Sequence, residues 1–270
     1  MEQKGDKNTM KAKKSLGQHF LSSKRAIGQI VRAGNIQAGE NVLEIGPGRG
    51  VLTRALLETK ANVIAIEKDR ELIDVLNKTF EKELASGQLK LVEADVLEVE
   101  LKDIGLEDKK YKIIANIPYY ITGQFLRKFL SNHSQPESMV LLLQREVVTR
   151  IIARDEKESI LSISVKVYGK PKLIGKVPAR DFKPAPQVDS AIIAIENISK
   201  KNFSAIEFEE RFFKIVRSGF AHKRKKLIRN LESVAKKDLI GKAFEVCEIE
   251  SNTRAEDLSL EKWQCLARKI

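Results

Sequence analysis

The stretch NVLEIGPGRGVLT (residues 41–53) decides how the chain is read. Asn41–Ile45 is an apolar run of the length and type that forms a buried strand. It breaks on Gly46-Pro47-Gly48-Arg49-Gly50 and resumes with apolar residues at helical spacing from Leu52 to Glu58. A strand, a glycine turn and a helix in that order open a parallel α/β sheet, with the turn at the carboxyl end of the strand. Working outward, the same reading gives strands at Asn62–Glu67, Leu89–Ala94, Lys112–Ala115, Met139–Leu143, Leu173–Val177 and Ser190–Ile195, and a helix over Arg70–Leu84. Only Pro178–Gln187 separates the last two strands, too little for a helical crossover, so they are expected to pair antiparallel at one edge of a seven-stranded sheet.

At NISKKNF (residues 197–203) the composition turns polar and the strand signals stop. Helical periodicity follows at Glu207–Phe220 and Lys225–Ala235. Thr253-Arg254-Ala255-Glu256 has capping-box spacing ahead of a last helix over Leu258–Arg268. The expected organisation is a basic tail over residues 1–12, a sheet domain over 13–202 and a helical domain over 203–270.

The 270 residues include 49 Lys and Arg against 37 Asp and Glu, a net charge of +12. A charge of that sign favours a polyanionic partner, with nucleic acid ahead of an anionic membrane. No apolar run approaches the length of a membrane span, and the amino terminus lacks the apolar core of a secretory signal. The three histidines, His19, His133 and His222, have no metal-ligand spacing, so no metal is expected. Cys247 and Cys265 have neither partner spacing nor a framework, which suits a reducing cytoplasm.

The glycine turn lets a ligand approach the backbone in front of a helix amino terminus. Structural strand–helix turns use glycine as well, so the turn needs company. Glu67 ends the second strand twenty-one residues after Gly46, where a carboxylate can accept both hydroxyls of a ribose. Asp95 follows the third strand beside the same crevice, although an acid there can equally cap a helix. Together they indicate a nucleoside-containing ligand, nicotinamide or S-adenosylmethionine. The spacing G-x-G-x-G differs from the G-x-G-x-x-G of dehydrogenases.

The fourth strand stops on IIANIPYYIT (residues 113–122), an amide, a proline and two tyrosines where a core strand should simply turn. An exocyclic adenine amine is a poor nucleophile because its lone pair is delocalised into the ring. Acceptors on both of its N–H groups would aim that lone pair at a methyl sulfonium. The Asn116 amide oxygen and the Ile117 carbonyl can supply them. Pro118 fixes the backbone without competing as a donor, and Tyr119 offers a ring face to an extruded base.

Five blocks now stand in order: KKSLGQHFL (13–21), VLEIGPGRGVLT (42–53), NIPYYIT (116–122), DFKPAPQVDSA (181–191) and GFAHKRKKLIRNL (219–231). The chain thereby resembles the ribosomal RNA adenine N6-dimethyltransferases, most closely their bacterial small-subunit branch, from about residue 13 to the carboxyl terminus. The resemblance implies a class I S-adenosylmethionine-dependent methyltransferase fold with a helical carboxyl-terminal domain. It implies dimethylation of two adjacent adenines in the 3′-terminal hairpin of 16S rRNA, within the 30S precursor, by a cytoplasmic monomer. S-adenosylhomocysteine would be the product. By the same resemblance Gln18, His19 and Leu21 lie over the methionine and methyl end of the cofactor, and Gly46 and Gly48 meet its methionine part. Glu67 meets the ribose, Asp95 and the Val96 backbone read the adenine, and Asn116 sits at the methyl. Phe182 is expected to stack on the target base opposite Tyr119. Alternatives within reach are the branch acting on 23S rRNA and a role chiefly in 30S assembly. Finally, Arg217, Lys223, Arg224, Lys225, Lys226 and Arg229 form an acid-free basic stretch, expected to hold rRNA phosphates while Leu227, Ile228 and Leu231 dock it.

Overall fold

A computed structural model describes Lys13 and residues 17–270; the expected tail over residues 1–12 lies outside the described residues. The first described elements are strand β1 (Phe20–Leu21), helix α1 (Lys24–Gly34), strand β2 (Asn41–Ile45), helix α2 (Val51–Glu58), strand β3 (Asn62–Glu67) and helices α3 (Arg70–Thr79) and α4 (Glu81–Ala85). Then come β4 (Leu89–Glu93), β5 (Tyr111–Asn116), α5 (Thr122–Ser131), β6 (Met139–Gln144), α6 (Arg145–Ile152), α7 (Ile160–Lys166), β7 (Lys170–Val177), β8 (Phe182–Lys183) and β9 (Ser190–Glu196). Helices α8 (Ile206–Gly219), α9 (Leu227–Leu231), α10 (Lys237–Val246) and α11 (Leu260–Lys269) complete the chain.

The seven-stranded sheet runs β4-β3-β2-β5-β6-β9-β7, with β9 antiparallel to both its neighbours and the five strands from β4 to β6 parallel. Successive side chains of each central strand enter opposite layers, which is why these strands read as unbroken apolar runs. Ile113 and Ala115 join Phe125, Phe212 and Trp263 on one face, whereas Ile114 joins Ala26, Ile30 and Leu56 on the other. Helices α8 to α11 are built onto the first of these layers and share its core.

The chain moves outward from β2 through β3 to β4 and then returns to place β5 on the other side of β2. That reversal puts a crevice at the carboxyl ends of β2 and β5. The register enlarges it. Asn41, Val42 and Leu43 pair with Tyr111, Lys112 and Ile113, but β2 runs on to Ile45 and β5 to Asn116 with no further pairing between them. The two strand ends splay apart where the ligand is expected.

Several expectations are corrected. The single helix over Arg70–Leu84 is broken at Phe80, whose ring is fully buried beneath the glycine turn. A Cβ on Gly50, which has φ +76°, would stand 2.4 Å from that ring. The helix expected over Lys225–Ala235 shrinks to α9, because the Asn230 side chain turns inward and donates to the carbonyls of Gly219 and His222. The last helix is capped by Ser259, which accepts from the Lys262 amide, and Thr253 instead offers its carbonyl to Leu227. Two short strands escaped the sequence reading: β1 and β8 pair antiparallel as a strap outside the main sheet. The cysteines are not free. Packing of α10 against α11 brings the Cα atoms of Cys247 and Cys265 within 5.8 Å, a bridgeable separation, and they form a disulfide.

Where α8 ends, a Cβ on Gly219 would meet the Trp263 ring at 2.3 Å and Leu227 at 2.8 Å. Neither partner has room to retreat, since both are fully buried. Gly219→Ala should therefore overpack the helical layer and cost about 1–3 kcal/mol, read as a lowered denaturant midpoint at unchanged slope.

Candidate active site

One cavity occupies the splayed end of the sheet. It is lined by the β1 strap, the β2–α2 turn, the ends of β3 and β5, and the turn after β4. Gly46, at φ +63°, brings the backbone of β2 across to β5; a Cβ there would lie 3.9 Å from the Asn116 carbonyl.

Glu67 closes one wall. Its carboxylate accepts from the Gly48 amide at 3.2 Å and from the Lys68 and Asp69 amides at 2.9 Å each. Burial pushes its pKa up, and the three amides oppose that rise. Asp95 accepts from Lys68 Nζ at 2.8 Å and from the Leu97 amide at 2.9 Å; the lysine holds its pKa low. Val96 beside it is buried and lines the cavity. The glycines, Glu67, Asp95 and Val96 thus line one cavity.

Of the strap residues, Leu21 and His19 line the cavity, and Gln18 does so with its side chain committed elsewhere. Gln18 Nε2 donates to Asp69 at 2.8 Å and its Oε1 accepts the Lys13 amide at 2.8 Å, while Lys13 Nζ also reaches Asp69 at 2.7 Å. Asp69 is the cap of α3, so this group fastens the segment before β1 to the sheet.

The geometry at Asn116 is the most informative. Its Nδ2 donates to the His19 carbonyl at 3.2 Å. A carbonyl can only accept, so the amide nitrogen has to face it, and the oxygen is left as the acceptor that the side chain presents. Ile117 continues the strand pairing through its amide to the Leu142 carbonyl, at 3.3 Å. The Tyr119 hydroxyl is bonded to Ser190 Oγ at 2.7 Å, which fixes the ring; burial raises the pKa of the phenol and keeps it neutral. The rings of His19 and Tyr119 lie nearly parallel, 6.2 Å apart.

Phe182 is a correction. It does not line the cavity: it is 2 % exposed, pairs with Leu21 across the strap and packs into the layer that holds α1. The β1–β8 pairing turns its ring inward, so the near-parallel aromatic opposite Tyr119 is His19.

Sequence reasoning also missed Glu44. This residue of β2 lines the cavity at 1 % exposure, and its Oε2 has no hydrogen-bond partner among the described residues. Burial pushes its pKa up to about 8; the nearby Thr53 hydroxyl pulls the other way and the Glu67 charge adds to the rise. The available signal was an acid inside an otherwise apolar strand, directly ahead of the glycine turn.

The basic stretch forms a separate surface. Arg217 lies in the last turn of α8, Lys223 to Lys226 on the connecting loop and Arg229 in α9, all exposed. Leu227 and Leu231 are fully buried and anchor the loop, as expected. Only Arg229 is in an ion pair among the described residues, with Glu232 at 3.2 Å. None of the six lines the cavity. Among the described residues no group of His, Cys, Asp and Glu could hold a metal ion, and no helix is long and apolar enough to cross a membrane.

Glu44 is protonated in the folded protein near neutrality but ionised in the unfolded chain, whose ordinary value is 4.5. The folded state then binds the extra proton, and stability should fall as pH rises from about 4.5 to about 8. Glu44→Gln should flatten that slope in denaturation curves recorded across this range without cofactor. An unchanged slope would mean that Glu44 is ionised when buried.

A family model described as "Ribosomal RNA adenine dimethylase" matches residues 9–270. A protein of Dehalococcoides mccartyi (strain CBDB1) called ribosomal RNA small subunit methyltransferase A is 39% identical over 260 residues, covering 96% of this chain and 88% of that one. A Fusobacterium nucleatum protein of the same name is 36% identical over 256 residues, covering 94% and 95%. Among solved structures, a dimethyladenosine transferase from Plasmodium falciparum superposes with a TM-score of 0.78 at 25% identity, covering 92% of this chain and 96% of that one. The 23S rRNA methyltransferase ErmE superposes with a TM-score of 0.75 at 24% identity, covering 93% and 98%, a likeness of fold. The seven-stranded sheet with its antiparallel β9 is accordingly the class I methyltransferase sheet, and the chain belongs to the ribosomal RNA adenine dimethylase family.

Proposed function

We propose that the protein dimethylates N6 of two adjacent adenines in the 3′-terminal hairpin of 16S rRNA, using S-adenosylmethionine, on the small-subunit precursor. Family membership and the small-subunit relatives support the reaction class. The single observation that carries the mechanism is the Asn116 amide, held by the His19 carbonyl so that it offers an acceptor at the cavity.

The residues present fit the cofactor. Glu44 leaves a buried oxygen on the cavity without a partner among the described residues, suited to an ammonium, and a Cβ on Gly48 or Gly50 would collide with Phe20 or Phe80, so the turn keeps its backbone bare. Glu67, Asp95 and Val96 would hold the nucleoside end, with Gly46, Gly48, His19 and Leu21 around the rest. When bound, S-adenosylmethionine supplies an electrophilic methyl group and leaves as S-adenosylhomocysteine.

The protein's own part is to make the adenine amine nucleophilic. Asn116 Oδ1 and the Ile117 carbonyl accept its two N–H groups, localising the lone pair on nitrogen and fixing its direction. Pro118, with φ −55°, holds that backbone and has no N–H to compete. Tyr119, immobilised through Ser190, gives a flipped base a face to stack on. No side chain has to take the proton, because the methylated ammonium is acidic and can release it to water. Phe182 acts from behind, packing the strap that carries His19. We assign residues 13–202 to the catalytic part and 203–270 to a helical part that positions RNA through Arg217, Lys223 to Lys226 and Arg229.

Mass mapping of 16S fragments after incubating under-methylated 30S particles with the protein and S-adenosylmethionine tests the reaction; two neighbouring dimethyladenines in the 3′ hairpin are expected, and methyl groups elsewhere would overturn it. Asn116→Ala should lower single-turnover transfer on the order of 10²–10³-fold at nearly unchanged cofactor affinity. A variant within about threefold of the parent would sink the acceptor role. Replacing Lys223, Arg224, Lys225 and Lys226 by Gln should weaken all RNAs alike. It should also flatten the log–log salt dependence of binding by roughly 0.7–0.9 units per lost phosphate contact.

A further inference from the structure

The segments before and after the strap carry a charge imbalance that the site does not use. Residues 17–34 and 170–188 hold Lys24, Arg25, Arg32, Lys170, Lys172, Lys176, Arg180 and Lys183, against the single carboxylate of Asp181. The fold brings the start of α1 to the end of the second segment. Phe20 pairs with Lys183 and Leu21 with Phe182; the Ser22 amide then donates to the Asp181 carbonyl at 2.8 Å, and Ser23 caps α1. Lys24 and Arg25 therefore leave the strap beside Arg180 and Lys183. Helix α1 continues along β7, where a Cβ on Gly175 would lie 3.3 Å from the Gln29 side chain.

All eight cations are exposed, and none enters an ion pair among the described residues. The nearest acid in sequence after the strap, Asp189, faces Arg145 at 3.7 Å. Ordinary structural reasons account for some of the charges. Lysines on the open edge of β7 deter strand addition. They do not account for Lys24 and Arg25, which stand in the first turn of α1, where the helix dipole disfavours cations and no acid offsets them. They do not account for Arg180 and Lys183 either, on the turn and short strand of the strap.

Position supplies the meaning. His19 Nδ1 contacts the Pro184 carbonyl at 2.8 Å, so Lys183 flanks the mouth of the adenine site. Helix α1 packs on the opposite layer of the sheet from α8 and α9. We propose that Lys24, Arg25, Arg180 and Lys183 form a second phosphate-binding face for structured RNA, across the sheet from the α8–α9 loop. The two faces then hold backbone on either side of the nucleotide that enters the cavity. This rests on the reading that the substrate is RNA; it adds a surface and a geometry to that reading.

The test is a Lys24/Arg25/Arg180/Lys183→Gln variant of the full chain, with binding of the 16S 3′-hairpin RNA measured across a salt series. Cofactor affinity by calorimetry and the melting temperature serve as controls. We expect the log–log slope to flatten by about three units, additively with the loop variant, at unchanged cofactor affinity. Should the quadruple variant melt early, Lys24/Arg25→Gln alone is expected to flatten the slope by about 1.5 units. A parental slope in either folded variant overturns the proposal. So does a loss confined to anionic phosphatidylserine vesicles with RNA binding intact, which would make the face a membrane surface. Because the readout is binding, a flattened slope upholds this face even if the parent transfers no methyl to the RNA, a result that would sink the proposed reaction alone.

Discussion

The active site depends on the point at which β2 and β5 cease to pair. Three residues of each strand are in register, and then the strands part although both continue. A parallel pair that kept its ladder to the end would place Asn116 against β2 and leave no crevice. The reversal of strand order makes the opening possible because no crossover helix needs to cover that end. The glycine turn makes it usable: Gly46, Gly48 and Gly50 all adopt positive φ, and a side chain at Gly48 or Gly50 would run into Phe20 or Phe80.

Opening the sheet there has an electrostatic cost that is visible in the side chains. Glu44 and Glu67 are both nearly buried, and each raises its own proton affinity through lost hydration. Glu67 recovers part of that through three backbone amides and in doing so ties the β2–α2 turn to the β3–α3 turn. Glu44 recovers little. By contrast Lys112, equally buried at the other end of the sheet, is matched by Glu40 at 2.7 Å and the Asn35 carbonyl. Glu67 and Lys112 are thus satisfied by the protein itself, whereas Glu44 keeps a buried oxygen at the cavity with no partner among the described residues, as expected of a site completed by a ligand.

The parts of the fold legible in the sequence are those that a single period dictates. Strands β2, β3, β5, β6 and β9 are largely buried on both faces, so their apolar runs are nearly continuous and their ends can be read to within a residue or two; the partly buried β4 is read one residue long, and β7, an exposed edge with an irregularity between Leu173 and Gly175, is read three residues short. The glycine turn, Glu67 and the NIPY turn followed from strand ends in the same way. What could not be read depends on contacts distant in sequence. The two-residue strands β1 and β8 exist only because they find each other, and that pairing sends Phe182 inward. The Phe80 ring at the helix break packs under Gly50, thirty residues earlier, and the cysteine bridge depends on how α10 meets α11. Glu44 was visible as a letter, but its isolation is a property of the cavity.

The strap's position also explains how events at the surface could reach the acceptor. His19 is bonded on both sides: its ring Nδ1 to the Pro184 carbonyl on the segment after β8, and its own carbonyl to Asn116 Nδ2. Since Pro184 offers only an acceptor, Nδ1 carries the proton in that contact, and the ring cannot turn without giving it up. Phe20 and Leu21 of β1, directly after His19, are held to β8 by backbone pairing, and the segment ahead is fastened through Gln18 and Lys13 to the cap of α3. A shift of the strap therefore moves the His19 carbonyl, the backbone acceptor that orients the Asn116 amide. Lys183 lies in that strap and Arg180 just ahead of it, so the proposed phosphate face and the Asn116 acceptor are tied to one short segment of backbone.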